Sequence, residues 1–309
     1  MITRTTSHNS MRQAQRNLQA SMQQLNKLQE QAMSHKAVNR PSDDPAATAD
    51  SLKIRADQRA VEQYSRNADN GNGWLTTIDS ALSITNSLLN RVRDLTVQGA
   101  NDGALSQTAK DALAKELDGL GDELLAQANS SYLGRNVFAG TTGAGVAFTG
   151  NATVGFTHTG VPDSTVQRRI GPDSTVRVDI DGAAVFGSAD PVTGTDDSVF
   201  ALVAKIASEL RGTNPGGPVN VGANLTALDA RMKTIAGQQA QVGARQNQIE
   251  RAESLLAEQK GSLEAQRAGA EDIDLPQVIL DLKTQEVTYQ SALAVTARVL
   301  QPTLMDFLR

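Results

Sequence analysis

The chain has 309 residues, with 29 Lys and Arg against 34 Asp and Glu, so it carries a net charge of −5. That balance excludes a strongly basic, phosphate-coating protein. The lack of cysteine excludes disulfides, thiolate catalysis and cysteine-based metal sites, and no run approaches the 18 or so apolar residues of a membrane span.

Only 39% of residues are apolar and 3% aromatic, which suits long, narrow helical packing better than a thick core. Three zones follow. Residues 1–138 read as helical, and so do residues 223–309. Between them, residues 139–222 hold 14 of the 25 Gly, five of the nine Pro and four of the six Phe. This predicts an insertion between two helical arms.

In the first arm Met11, Leu18, Leu25 and Ala32 recur every seven residues. Ala14, Ser21 and Leu28 form a second row, and Met22 widens the seam. The pattern predicts a helix over 5–36, roughly 48 Å long. Its stripe is too narrow and too polar to be stable alone in water. Asn39-Arg40-Pro41-Ser42-Asp43-Asp44-Pro45 stops it, because Pro41 pushes Arg40 out of the helical region. Asp44 then caps a new helix with Pro45 at its first position. A break is expected at Asn70-Gly71-Asn72-Gly73, followed by helices led by Leu75, Ile78, Leu82, Leu89, Val92 and Leu95, and then by Leu113, Leu117, Leu120 and Leu124.

The middle zone switches period. Thr165–Arg168 and Thr175–Ile180 alternate as strands do, and Asp181-Gly182 reads as a hairpin turn. Residues 199–210 read as one amphipathic helix. In the last arm Leu228, Ile235, Val242, Ile249, Leu256 and Leu263 fall seven apart. The second row is poor, with Met232 followed by Gln239, Gln246 and Glu253, so this helix is expected to pack against several neighbours. Residues 269–274 interrupt it. Leu275, Ile279, Leu282, Tyr289, Leu293 and Leu300 then carry a three-four rhythm up to Pro302.

Chemistry-bearing motifs are weak. His8, His35 and His158 have no partners at ligand spacing and read as surface residues. Residues 143–148 have Phe where the last glycine of a dinucleotide fingerprint belongs. Asp179-Ile180-Asp181-Gly182 lacks the remaining ligands of a calcium loop, and Asp43-Asp44 has no nucleophile nearby. Asn151-Ala152-Thr153 is a glycosylation triplet of a kind common by chance. The chain is therefore not expected to be an enzyme or to bind a cofactor or metal. Residues 1–60 carry nine Lys/Arg and five Asp/Glu, net +4, on an otherwise acidic chain, a candidate contact surface for an acidic neighbour.

Four segments carry a resemblance: the start Met1-Ile2-Thr3-Arg4 with Met11-Arg12-Gln13 and Leu18; the 39–45 turn; Tyr132-Leu133-Gly134-Arg135-Asn136-Val137-Phe138-Ala139-Gly140; and Leu304-Met305-Asp306-Phe307-Leu308. Over residues 1–140 and 223–309 the chain resembles the bacterial flagellin superfamily, and within it the family of hook–filament junction proteins. The resemblance implies a mainly α fold, with a discontinuous long-helix coiled-coil core built from both chain ends and a small inserted strand-rich α+β domain. The expected domains are residues 1–40 and 271–309 as polymerisation helices, 41–138 with 223–270 as helical core, and 139–222 as insertion.

By the same resemblance, the chain is a structural adaptor between the first hook-associated protein and the flagellin filament. It is exported unfolded through the flagellar type III channel, without a cleaved signal peptide, and assembles with copies of itself as an extracellular ring. A cytoplasmic export chaperone binds its C-terminal segment, and neither nucleic acid nor membrane is a partner. The expected inter-subunit residues are Met11, Leu18, Met22, Leu25, Leu293, Leu300, Leu304 and Phe307. The signature turn is Asn39, Arg40, Pro41, Ser42, Asp43, Asp44 and Pro45. A filament-forming flagellin and an extracellular coiled-coil adhesin or scaffold are the alternatives.

The marginal-helix argument predicts that roughly the first 40 and last 35 residues of a dilute monomer are protease-sensitive. Limited proteolysis that leaves both ends intact would contradict it.

Overall fold

The computed structural model describes residues 2–300 apart from 102–104, 144, 153, 162–163, 190–194 and 213–220, with the backbone alone for 2–8, 10, 223 and 298–300. The chain divides into two compact units, residues 1–60 with 259–309, and residues 61–258.

The first unit contains α1 (Ile2–Ser34), the opening of α2 (Pro45–Gly99), the end of α6 (Ala223–Glu271) and α7 (Leu275–Leu300). Helices α1 and α7 pack against one another. They run antiparallel, since Gln285 meets Ser21 while Asp272 bridges to Lys36. The seam side of α1 is formed by Ala14, Leu18, Ser21, Leu25, Leu28 and Ala32, the two heptad rows of the sequence. Met11 and Met22 depart from that reading: they lie off the seam and are about half exposed, at 49% and 51%. On α7 the less exposed positions are Val278, Leu282, Gln285, Tyr289, Ala292 and Thr296.

The second unit holds the rest of α2 and α6 with α3 (Gln107–Ala128), three antiparallel hairpins, α4 (Gly182–Phe186) and α5 (Val199–Leu210). The hairpins are β1 (Ser131–Tyr132) with β2 (Arg135–Asn136), β3 (Phe148–Asn151) with β4 (Gly155–His158), and β5 (Gln167–Arg169) with β6 (Thr175–Arg177). Trp74, Leu75, Ile78, Leu82, Leu89, Val92 and Leu95 of α2 are buried with Leu117 and Leu124 of α3 and Leu228, Ile235, Val242 and Ile249 of α6. Ser106 and Ser198 cap α3 and α5, each accepting a backbone N–H from the residue three positions on.

In the second row of α6, Gln239 meets polar partners on α2. Gln239 donates to Asp79 at 3.0 Å and accepts from Asn86 at 3.1 Å. Under the hairpins, Phe138, Phe148, Phe156, Phe186 and Phe200 form a cluster of mostly edge-on rings with centroids 5.2–5.6 Å apart. The few aromatic residues are therefore concentrated where the insertion needs a core.

Three local expectations are corrected. Helix α2 does not break at 70–73: Gly71 lies against Ile249, Val178 and Arg168, and Gly73 against the Tyr132 ring, so these glycines serve close packing. Asp181-Gly182 is not a hairpin turn. Asp181 accepts the Ala183 N–H at 3.0 Å and caps α4, while the β5–β6 turn falls at residues 170–174. His158 is not a surface residue. It is half-buried, with Nε2 2.8 Å from the Phe138 carbonyl and its ring 4.9 Å from that of Phe148.

A Cβ on Gly73 would fall 2.7 Å from Tyr132 Cζ, whereas one on Gly119 meets nothing within 4 Å. Gly73→Ala is expected to cost about 1–3 kcal/mol through overpacking. Gly119→Ala is expected to stabilise by about 0.5–1 kcal/mol. Urea denaturation of the two variants checks both signs.

Candidate assembly surface

Among its described residues, the first unit buries only two large apolar side chains, Leu28 and Leu263. Its described residues form helices and a seam rather than a thick core. Its outer faces carry much of its apolar surface. On α1 these are Met11, Met22 and Met33, eleven residues apart and therefore close to one face. On α7 they are Ile279, Leu280, Val287, Leu293 and Val295. So many exposed apolar side chains on so thin a pair mark a candidate contact surface.

The candidate inter-subunit residues divide accordingly. Met11, Met22 and Leu293 are exposed, whereas Leu18 and Leu25 are half-buried on the seam side of α1. Leu300 closes α7, but its side chain lies outside the described residues, as do Leu304 and Phe307.

The signature turn is a closed local structure. The Arg40 N–H donates to Asp43 Oδ2 at 3.1 Å, and the Asp43 N–H donates to the Arg40 carbonyl at 2.9 Å. Asn39 precedes this pair, and Pro41 and Ser42 lie within it. Asp44 Oδ1 accepts the N–H groups of Ala46 and Ala47, each at 3.0 Å, with Pro45 as the first residue of α2. The Arg40 guanidinium reaches Glu30 at 3.4 Å, an exposed pair of small energetic weight.

Sequence reasoning missed the residue that ties this turn down. Glu271, the last residue of α6, receives the Arg55 fork at 2.7 Å on each carboxylate oxygen and the Ser51 hydroxyl on Oε1. Its carbonyl accepts the Ala37 N–H at 2.7 Å, and the next residue, Asp272, bridges to Lys36. The α1–α2 and α6–α7 breaks are thus fastened to each other. Arg55 and Glu271 are 216 positions apart, so no local pattern signals the pair.

Among the described residues, no group of three or more His, Asp or Glu is placed to hold a metal, and no helix is long and apolar enough to cross a membrane. An exposed apolar face on a pair of chain-end helices is the chemistry of an assembly subunit.

Comparison with known proteins agrees with that class. Residues 6–142 match the bacterial flagellin N-terminal helical region, and residues 225–308 match the C-terminal helical region. The chain belongs to the bacterial flagellin family and is a structural component of the flagellum. It is 25% identical to a flagellin of Bacillus subtilis over 95% of this chain and 93% of that one. It is 27% identical to a flagellar filament core protein of Treponema maltophilum, over 87% and 86%.

Its fold is shared with flagellar hook-associated protein structures. One, from Legionella pneumophila, aligns with a TM-score of 0.59 at 17% identity, covering 70% of this chain and 97% of that one. The Bacillus cereus FlgL structure aligns at 0.57 and 20% identity, covering 70% and 99%.

The Arg55–Glu271 pair gives a pH signature. Hydrogen bonding from Arg55, joined by Ser51, holds the Glu271 carboxyl down from 4.5 to about 2. A depressed carboxyl contributes stability that is full above its ordinary value and is lost as pH falls from about 4.5 toward about 2. Hydrogen exchange at the Ala37 amide is expected to accelerate over that window, beyond the intrinsic pH dependence of exchange. Glu271→Gln is expected to remove this extra acceleration and to make exchange faster at pH 7.

Proposed function

We propose that this chain is the junction adaptor of the flagellum, joining the hook, through the first hook-associated protein, to the flagellin filament. The carrying observation is the first unit, which among its described residues buries two large apolar side chains and leaves many others exposed. Such a unit becomes stable when neighbouring subunits cover it. Copies assemble as a ring, with Met11, Met22 and Leu293 in contacts between chains, and with Leu300, Leu304 and Phe307 as further contact residues. Leu18 and Leu25 act by holding α1 on α7. The Arg-Pro-Ser sequence before the paired aspartates of the turn, together with Asp306-Phe307 near the end, favours a junction protein over a filament subunit.

The chain leaves the cell unfolded through the flagellar export channel, with its C-terminal segment held beforehand by a cytoplasmic chaperone. Weak terminal helices and the absence of cysteine suit a chain threaded through a narrow passage. In this reading residues 1–40 and 271–309 are the polymerisation segments, 41–138 with 223–270 the helical core, and 139–222 an insertion.

A second reading, a filament-forming flagellin, is favoured by the identities of the curated relatives, which are flagellins and filament core proteins. Deleting the gene separates the two. Loss of a junction protein releases unassembled flagellin into the medium, whereas loss of a filament subunit removes filament material. Copy number in sheared flagella separates them as well, because a ring is scarce and a filament subunit abundant.

Leu293 is exposed in the single chain. Leu293→Asp is therefore expected to lower monomer stability by only about 1 kcal/mol while blocking incorporation into the flagellum. Normal motility in cells carrying only this variant would contradict the assignment of the α7 outer face.

A further inference from the structure

Two features of the second unit are unused by the surface described above. The first is the tip of the β1–β2 hairpin. Leu133 and Gly134 form its two-residue loop, with φ of 50° and 76°. Left-handed backbone at both central positions is the turn that Asn-Gly or Gly-Gly ordinarily makes. Leu has no local hydrogen bond to offset the crowding of its Cβ there, and its side chain is 77% exposed. The position is thus unfavourable for Leu in backbone and in solvation alike, and strain of this kind clusters at contact sites.

The hairpin beneath this tip is firmly seated. The Tyr132 ring meets Trp74 edge-on at 6.1 Å, and the Arg135 guanidinium lies over the same indole at 5.7 Å.

The second feature is an open cleft of about 280 Å³ between α3, α5 and the β3–β4 hairpin. Half-buried Leu125 and Ala204 give it accessible apolar walls, over a floor of buried Leu117, Phe156, Phe200 and Val203. Gly121 leaves room within it, since a Cβ there would meet only Val203, at 3.8 Å. Asp118 and Asp122 stand along the same cleft, Asp118 also pairing with Arg211.

The exposed Leu133 does not fill this cleft within its own chain. We propose that Leu133 of one copy enters the α3–α5 cleft of a second copy. Arg135, two residues beyond Leu133 and held over Trp74 in its own chain, then brings its positive charge near Asp122, beside the cleft. The two sides match in chemistry: an apolar knob beside a cation, and an apolar hole beside carboxylates. Both sides belong to every copy, so the contact is head-to-tail and propagates into a closed ring or a helical row. This inference rests on the reading that the chain assembles with itself, and it supplies that assembly with a contact in the second unit.

Two substitutions isolate the contact without weakening the monomer. Leu133→Asn places a residue suited to left-handed backbone at the turn. Gly121→Leu improves the helix and fills the cleft from within. Each is expected to leave the melting temperature of the purified full-length chain unchanged or raised, and to lower its incorporation into flagella at least tenfold. Mixed in solution, the two variants retain one intact knob and one intact hole, so they form pairs but no longer rows.

The chain contains no cysteine, so Leu133→Cys with Ala204→Cys reports directly. Oxidised flagella are expected to yield a ladder of disulfide-linked chains from the double variant and none from Ala204→Cys alone. Normal incorporation of Leu133→Asn, or a double variant present in flagella without a ladder, overturns the contact. If the chain is absent from flagella, the functional reading itself fails. Oxidation of the concentrated purified double variant then decides the contact, and no ladder there overturns it.

Discussion

The seam between α1 and α7 is the constraint from which the rest follows. An amphipathic helix in a globular protein usually turns an apolar stripe of 100° or more onto a core. In α1 the seam side contributes Ala14, Leu18, Ser21, Leu25, Leu28 and Ala32, of which only Leu28 is fully buried. Two helices sharing so little apolar area gain too little to offset the entropy of ordering some sixty residues, at about 1–2 kcal/mol each. Many of the remaining apolar residues of the pair stay half exposed or more, so within a single chain much of their apolar surface faces solvent. A unit built this way gains its stability from what covers it.

The second unit is built on the opposite principle. Its helices present Trp74, Ile78, Leu82, Leu89, Leu117, Leu124 and, from α6, Leu228, Ile235, Val242 and Ile249 to a common interior. Its hairpins, too short to be stable alone, are held by the phenylalanine cluster and by hydrogen bonds from buried polar groups. Asp179 is one such group: it accepts the Val166 N–H at 2.7 Å and pairs with Arg177 at 3.1 Å. The same chain thus combines a well-packed body with thinly packed terminal helices, and the composition already hinted at the former by concentrating phenylalanine in the insertion.

How much of this was legible in the sequence depended on the range of the interaction. The α6 ladder from Leu228 to Leu263 was readable because heptad spacing is a property of the helix itself, and each of these residues is buried. The cap at Asp44 was readable for the same reason. Gly71 and Gly73 misled because glycine lowers helix propensity locally, whereas here Ile249 and Tyr132 approach the helix more closely than a Cβ would allow. Asp181-Gly182 has the composition of a hairpin turn, and the same aspartate serves equally well as a helix cap. Of the candidate surface, the periodicity located both helices but did not separate Leu18 and Leu25, on the seam, from Met11 and Met22, off it. The Arg55–Glu271 pair left no trace because it joins residues more than two hundred positions apart.

A thin seam raises a problem that a thick core does not. With so little apolar surface buried, sliding α1 past α7 by one heptad exchanges one modest set of contacts for another. Polar groups discriminate between registers more sharply, because a displaced donor or acceptor is left unpaired. Two such pins are present. Gln285 Nε2 donates to Ser21 Oγ at 2.9 Å and to the Ser21 carbonyl at 3.2 Å midway along the pair. Glu271 fixes the break at its end through Arg55, Ser51 and Ala37. Between these anchors, the positions of Met22 and Met33 along α1 and of Ile279 and Leu280 along α7 are set relative to one another. An outer face with defined spacing is what repeated identical contacts require, so the polar residues that weaken the seam as a hydrophobic contact are the ones that make its outer surface reproducible from copy to copy.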